Sequence, residues 1–183
     1  MVEAPVPFGR YRLLSLLGAG GMARVYRAVL PGPMGFEKEV AVKRIDLQLT
    51  EDQQFVQALV NEARLGGELR HRNLVEIYEF DQVGGHYYLS MQYVDGWTLQ
   101  QVLRLCRELE QPMPLSVAVA VAISVCEGLH YAHSAVSRGG QPLNLVHRDL
   151  KPANIMISRA GEVLVMDFGI AKADTNAFHN TNA

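Results

Sequence analysis

The sequence predicts an α+β protein of two lobes, an antiparallel strand-rich lobe carrying one helix and then a helical lobe. Three observations lead there. Apolar runs of strand length, broken by glycine and proline, dominate the opening stretch. One amphipathic pattern interrupts them after Thr50. Beyond Thr98 the apolar residues recur at helical spacing over longer stretches. Hydrophobic residues at 49% and charged residues at 20% suit a folded chain and exclude a disordered one. A net charge of −2 with interspersed signs provides no nucleic-acid surface.

Residues 1–9 read as an N-terminal tail. Met1 to Arg10 has neither the basic nor the apolar region of a signal peptide. Tyr11 to Leu17 is an apolar run ending in glycines, and Val25 to Leu30 is a second. Pro31, Gly32, Pro33 and Gly35 mark a loop. Glu39 to Ile45 alternates, with Ala41, Lys43 and Ile45 on one face. Thr50 and Gln53 fit a capping box for a helix whose stripe holds Phe55, Leu59, Glu62, Gly66 and Leu69. Gly66 then lies inside that helix, where glycine costs roughly 0.5–1 kcal/mol against alanine.

Val75 to Phe80 and His86 to Val94 read as a strand pair turning at Gly84-Gly85. Met91 to Val94 joins the lobes, which span 10–94 and 95–183. Thr98 and Gln101 can cap a helix through Cys106. Leu115 to His133 is apolar nearly all round and reads as a central buried helix. Its densest part, Leu115 to Leu129, is broken by Ser116, Ser124 and Glu127, so no membrane segment is expected in this chain. Residues 135–145 form a polar connection. Two short strands, Ile155 to Ile157 and Val163 to Met166, turn at Gly161. Cys106 and Cys126 form no CxxC pair, and a reduced, cytoplasmic setting accounts for both.

The chemistry lies in three places. Gly18-Ala19-Gly20-Gly21 sits between strands, where glycines let backbone N–H groups reach phosphate oxygens. A dinucleotide loop would lead into a helix, but here a strand beginning near Val25 follows. Lys43 shares a face with Ala41, and Glu62 is a carboxylate on an apolar stripe. Pairing them satisfies the stripe and leaves a lysine directed at phosphates. His147-Arg148-Asp149-Leu150-Lys151-Pro152-Ala153-Asn154, followed by Asp167-Phe168-Gly169, supplies two carboxylates, a cation and an amide. Phosphoryl transfer needs that set. His71, His86, His130, His133 and His179 have no metal-ligand spacing.

With these motifs in this order, the chain resembles the eukaryotic-type protein kinases from Arg10 onward, and the Asp-Leu-Lys-Pro-x-Asn run resembles their serine/threonine members. Gly-Gly-Met-Ala and the Arg138 to Leu143 connection look like bacterial ones. The resemblance implies a bilobal kinase fold with a complete β N-lobe and an incomplete helical C-lobe. It implies transfer of the γ-phosphate of Mg-ATP to serine or threonine hydroxyls of a protein substrate. Leu17, Gly18, Ala19, Gly20 and Gly21 would cover the phosphates. Val25 and Ala41 would lie above the adenine and Met156 below it. Met91 is the gatekeeper, and backbone groups of Gln92 and Val94 meet the adenine edge. Lys43, held by Glu62, contacts phosphates; Asp149 orients the hydroxyl; Lys151 sits on the γ-phosphate; Asn154 and Asp167 bind Mg2+. His147, Phe168 and Ile77 belong to a structural column.

The sequence departs from the family in several places. Ala23 replaces the third loop glycine, which implies a stiffer loop, and Gln92 takes a place often held by glutamate. The chain ends at Ala183 with no Ala-Pro-Glu-like motif after Gly169, so a fragment of a longer product is expected, one whose membrane anchor, if it has one, lies outside these residues. Its incomplete C-lobe would expose apolar surface, favouring aggregation or self-association. The alternative function is an ATP-binding or partner-binding module without turnover.

Overall fold

The computed structural model describes residues 5–137, 139–143 and 145–168, and of Glu62 the backbone alone. Two compact units emerge, Met1–Ala63 with Ile77–Tyr93, and Arg64–Glu76 with Val94–Ala183.

The first unit is built on a six-stranded antiparallel sheet. Its strands are β1 (Val6–Phe8), β2 (Tyr11–Ala19), β3 (Ala23–Pro31), β4 (Glu37–Ile45), β5 (Ile77–Val83) and β6 (His86–Gln92). Their order is β1-β2-β3-β4-β6-β5. The expected tail is therefore partly a strand. Phe8 gives the reason: its ring packs edge-on against Tyr88 at 5.3 Å and is buried, so the apolar side chain draws the segment onto the sheet. Tyr11, Leu13, Ala28, Val40, Val42 and Tyr88 complete the core on that face. The Tyr11 hydroxyl donates to Glu79, and burial together with that carboxylate pushes it up to about 12. Gly84 and Gly85, at φ 56° and 82°, form the left-handed turn that joins β5 to β6.

Helix α1 (Gln53–Gly66) begins differently from the expectation. Leu47–Glu51 forms a 3-10 turn in which the Thr50 hydroxyl donates to Leu47 O at 2.6 Å. Thr50 is thus spent, and Asp52 caps α1 by accepting from the N–H groups of Gln54 and Phe55. Gly66 ends the helix instead of interrupting it, so the expected mid-helix cost does not arise. Phe55, Ala58, Leu59 and Ala63 are its buried residues.

The second unit holds β7 (Gly96–Thr98), α2 (Leu99–Glu108), α3 (Leu115–Ser134), β8 (Ile155–Ser158) and β9 (Val163–Val165). The three strands pair in the order β7-β8-β9. The Thr98 and Gln101 capping box forms as expected at the start of α2. Residues 64–76, which the sequence assigns to the first lobe, belong to this unit because Leu69 and Leu74 enter its core with Val121, Val125, Val163 and Val165. The strand expected from Val75 starts at Ile77, because the Val75 N–H donates to Val165 O at 2.9 Å instead.

Helix α3 is only partly a buried spine. Val121, Val125, Gly128 and Ala132 form its buried stripe, whereas Leu115, Val117, Val119 and Ile123 are exposed. The sequence reads this helix as Leu115 to His133, and it runs one residue further, to Ser134. At 20 residues with a mean hydropathy of 1.6 over its best window, it is long and apolar enough to cross a membrane by length and composition; 22% of that window is buried.

Candidate active site

In the first unit, strand register collects the predicted nucleotide-binding residues. Val25 stands opposite Lys43, and Ala41 opposite Met91. Lys43 also faces Leu89, and Gly18 faces Val25. Directly opposed residues share a face of a sheet. Gly18, Val25, Ala41, Lys43 and Met91 therefore line one side of the sheet, and the Val40, Val42 and Ala28 core lies on the other. Met91 and Ala41 are buried and Lys43 is half-buried. The Glu62 side chain lies outside the described residues, and with it the expected Lys43 to Glu62 pair.

The glycine loop turns between β2 and β3, with the Gly20 N–H donating to Ala23 O at 2.9 Å. A Cβ on Gly18 or Gly21 would touch nothing within 4 Å, and one on Gly20 would meet only that carbonyl at 3.9 Å. None of the three has a positive φ. Neither packing among the described residues nor turn geometry calls for glycine here, and bare backbone of this kind suits an anionic ligand. Leu17 and Ala19 are exposed on the same hairpin. Ala23, buried opposite Ile45, fixes the base of the loop.

In the second unit, Met156 lies on β8 between Thr98 and Leu164. Val94, half-buried, precedes β7, whereas Gln92 pairs with Val40 in the first unit. The loop before β8 assembles the remaining residues. Lys151 Nζ donates to Asp149 Oδ2 at 2.8 Å. Asn154 Nδ2 donates to Asp149 O at 2.9 Å and to Asp149 Oδ2 at 3.0 Å. Asn154 is buried, so its amide holds the carboxylate from inside while the lysine neutralises it from the exposed side.

Two further bonds connect this loop to Met166, the residue before Asp167. Met166 N–H donates to Asn154 O at 2.9 Å, and Met166 O accepts from His147 Nε2 at 3.0 Å. His147 Nδ1 accepts from the Asp149 N–H, so one neutral tautomer satisfies both contacts. Burial lowers the His147 pKa, against the raising effect of the Met166 bond and of Asp149 and Asp167. Its ring lies 4.8 Å from that of Phe168, as the structural column requires. Arg148 and Asp167 have φ values of 58° and 56°, left-handed conformations that cost non-glycine residues free energy and cluster at functional sites.

A divalent cation fits this set. Asn154 spends its Nδ2 on Asp149, so its Oδ1 would be the ligating atom, with the carboxylate of Asp167 as the second expected donor. Those are hard oxygen donors, few in number, as Mg2+ prefers when phosphates complete its shell. Among the described residues no group of three or more His, Cys, Asp or Glu could hold a metal on its own.

The sequence reading passed over Asn73 and Gly128. Asn73 is buried and donates to Val163 O at 2.8 Å; Gly128 packs against its backbone. A glycine inside an apolar helix was the available signal for the second, and nothing in the sequence marked the first.

Comparison with known proteins agrees with this geometry. Residues 11–182 match the protein kinase domain family. Tyrosine-protein kinase MasK of Myxococcus xanthus is 43% identical over 92% of this chain and 26% of its own length. Serine/threonine-protein kinase PknB of Mycobacterium leprae is 34% identical over 94% of the chain and 26% of its length. PrkC of Bacillus subtilis is 33% identical over 90% and 23%. The chain thus spans about a quarter of the length of the curated relatives it matches. The crystal structure of the Mycobacterium tuberculosis PknI kinase domain superposes with a TM-score of 0.72 at 28% identity, over 93% of this chain and 62% of that one.

Proposed function

We propose, since the chain belongs to the protein kinase domain family, that it forms the nucleotide-binding and catalytic-loop part of an ATP-dependent serine/threonine protein kinase. One observation carries this reading: Asp149, Lys151 and Asn154 converge in a single hydrogen-bonded cluster. Asp149 accepts or orients the proton of the attacking hydroxyl. Lys151, already beside it, offsets charge on the γ-phosphate. Lys43 contacts the α- and β-phosphates, and the open glycine hairpin covers them. Val25, Ala41, the Met91 gatekeeper and the Gln92 backbone in the first unit, and Met156 and the Val94 backbone in the second, are the residues assigned to the adenine. Asn154 and Asp167 would hold Mg2+, which when bound would screen the phosphate charge. ATP supply assigns this part to the cytoplasm.

The test is transfer of labelled γ-phosphate to a generic protein substrate, followed by phosphoamino-acid analysis. Asp149→Asn removes the carboxylate's negative charge and should abolish transfer. ATP binding without transfer in the parent would favour the binding module. Label on tyrosine would favour the chemistry named for the Myxococcus relative.

A further inference from the structure

We propose that Asn73 and Gly128 are positioning residues for Asp167, acting through strand β9. The functional half of this inference rests on the kinase reading. Strand β9 has three residues and lies at the edge of its sheet, paired with β8 on one side. A strand so short holds its register poorly unless its other edge is also gripped. The segment before Ile77 grips it. Val165 N–H donates to Asn73 O at 2.8 Å, and Val75 N–H donates to Val165 O at 2.9 Å. Asn73 Nδ2 reaches Val163 O at 2.8 Å. Met166 and Asp167 follow at once, so the register of β9 sets where the Asp167 carboxylate starts.

The Asn73 amide is used one-sidedly. Its Oδ1 is buried with no hydrogen-bond partner among the described residues. An unpaired buried oxygen is unfavourable. The residue therefore serves as a donor, and the Val163 carbonyl is what it serves.

Gly128 backs this strut from α3. A Cβ there would lie 2.9 Å from Asn73 O, 3.1 Å from Leu74 Cδ2 and 3.2 Å from Asn73 Cβ. Asn73 O is the acceptor of the Val165 N–H, so a methyl group would press on that bond. The loop cannot retreat freely, because α3 holds it on both sides of Gly128. Arg72 pairs with Glu127 at 2.7 Å, the His71 ring stacks on Tyr131 at 4.9 Å, and Arg70 N–H donates to the Tyr131 hydroxyl at 3.2 Å.

The test uses Gly128→Ala and Asn73→Ser in this chain. Three quantities are measured: amide hydrogen exchange at Val75 and Val165, the thermal midpoint, and ATP binding titrated with and without Mg2+. Both variants should exchange faster at those two amides. The Mg2+ concentration needed to strengthen ATP binding should rise about tenfold, the scale of losing an outer-shell partner of a metal ligand. Metal-free ATP binding should not change. A lower thermal midpoint with unaltered Mg2+ dependence would mean that the pair only packs, and would overturn the proposal. If Gly128→Ala does not fold, Asn73→Ser decides by the same criteria. If the parent shows no Mg2+-dependent ATP binding, the kinase reading fails by itself. Exchange at Val165 then still judges the strut, and unchanged protection in the variants refutes it.

Discussion

The Asn154→Ala substitution tests whether this amide builds the catalytic loop or merely occupies it. Asn154 is buried and makes two bonds to Asp149, one to a carbonyl and one to a carboxylate oxygen. A neutral bond contributes roughly 1 kcal/mol, and one to a charged partner about 1.5–3. Losing both should destabilise the protein by about 3 kcal/mol. For a chain of this size each kcal/mol moves the thermal midpoint by about 2–4 °C, so a fall of about 10 °C is expected by calorimetry. Asn154→Asp sharpens the test. It keeps the shape but sets two carboxylates where a bond of 3.0 Å now runs. Their repulsion raises a carboxyl pKa in the folded state above its unfolded value. Stability of that variant is then highest at low pH and declines as pH rises through the folded pKa. An Asn154→Ala midpoint within about 2 °C of the parent, on the same scale, would refute the role given to these bonds.

Two other perturbations follow from the same geometry. The pKa of His147 is lowered from 6.5 in the fold, so the unfolded chain binds the proton more readily. The stability this residue contributes is complete above about 6.5 and declines as pH falls toward the folded value; thermal midpoints across pH 5 to 8 should show a smaller acid-side drop in His147→Phe. Lys43→Ala should lower kcat/KM for ATP about a hundredfold, as expected for loss of one preorganised charge. Lys43 is only half-buried, so the thermal midpoint should stay close to the parent's; unchanged kinetics would remove its assignment.

Much of the site was legible because its chemistry is local. Residues from His147 to Asn154 fold onto one another within a single loop, so their order in the chain nearly fixes their contacts. The shared face of Ala41 and Lys43 was legible for another reason, since period-two alternation assigns faces within a strand; Val25 and Met91 came from the resemblance, and antiparallel pairing sets them on that face. The strand at Val6–Phe8 was not legible, since three residues carry no pattern and only Tyr88, far along the chain, gives Phe8 its place. The cap of α1 was misread because Thr50 and Asp52 are both good caps, and the 3-10 turn that occupies Thr50 has no signature in sequence.

By itself the sequence determined most of the strands and helices and, through motifs that resemble one family, the family itself. The elements follow from spacing and periodicity over short stretches, and the family from the order of the motifs it resembles. The tertiary structure alone decided that residues 64–76 belong with the helical unit, that α3 buries only one stripe, and that Gly128 packs against Asn73, whose amide bonds strand β9 at Val163. Those facts depend on atoms brought within 3 Å by folding from distant positions in the chain, and no local pattern encodes such a distance.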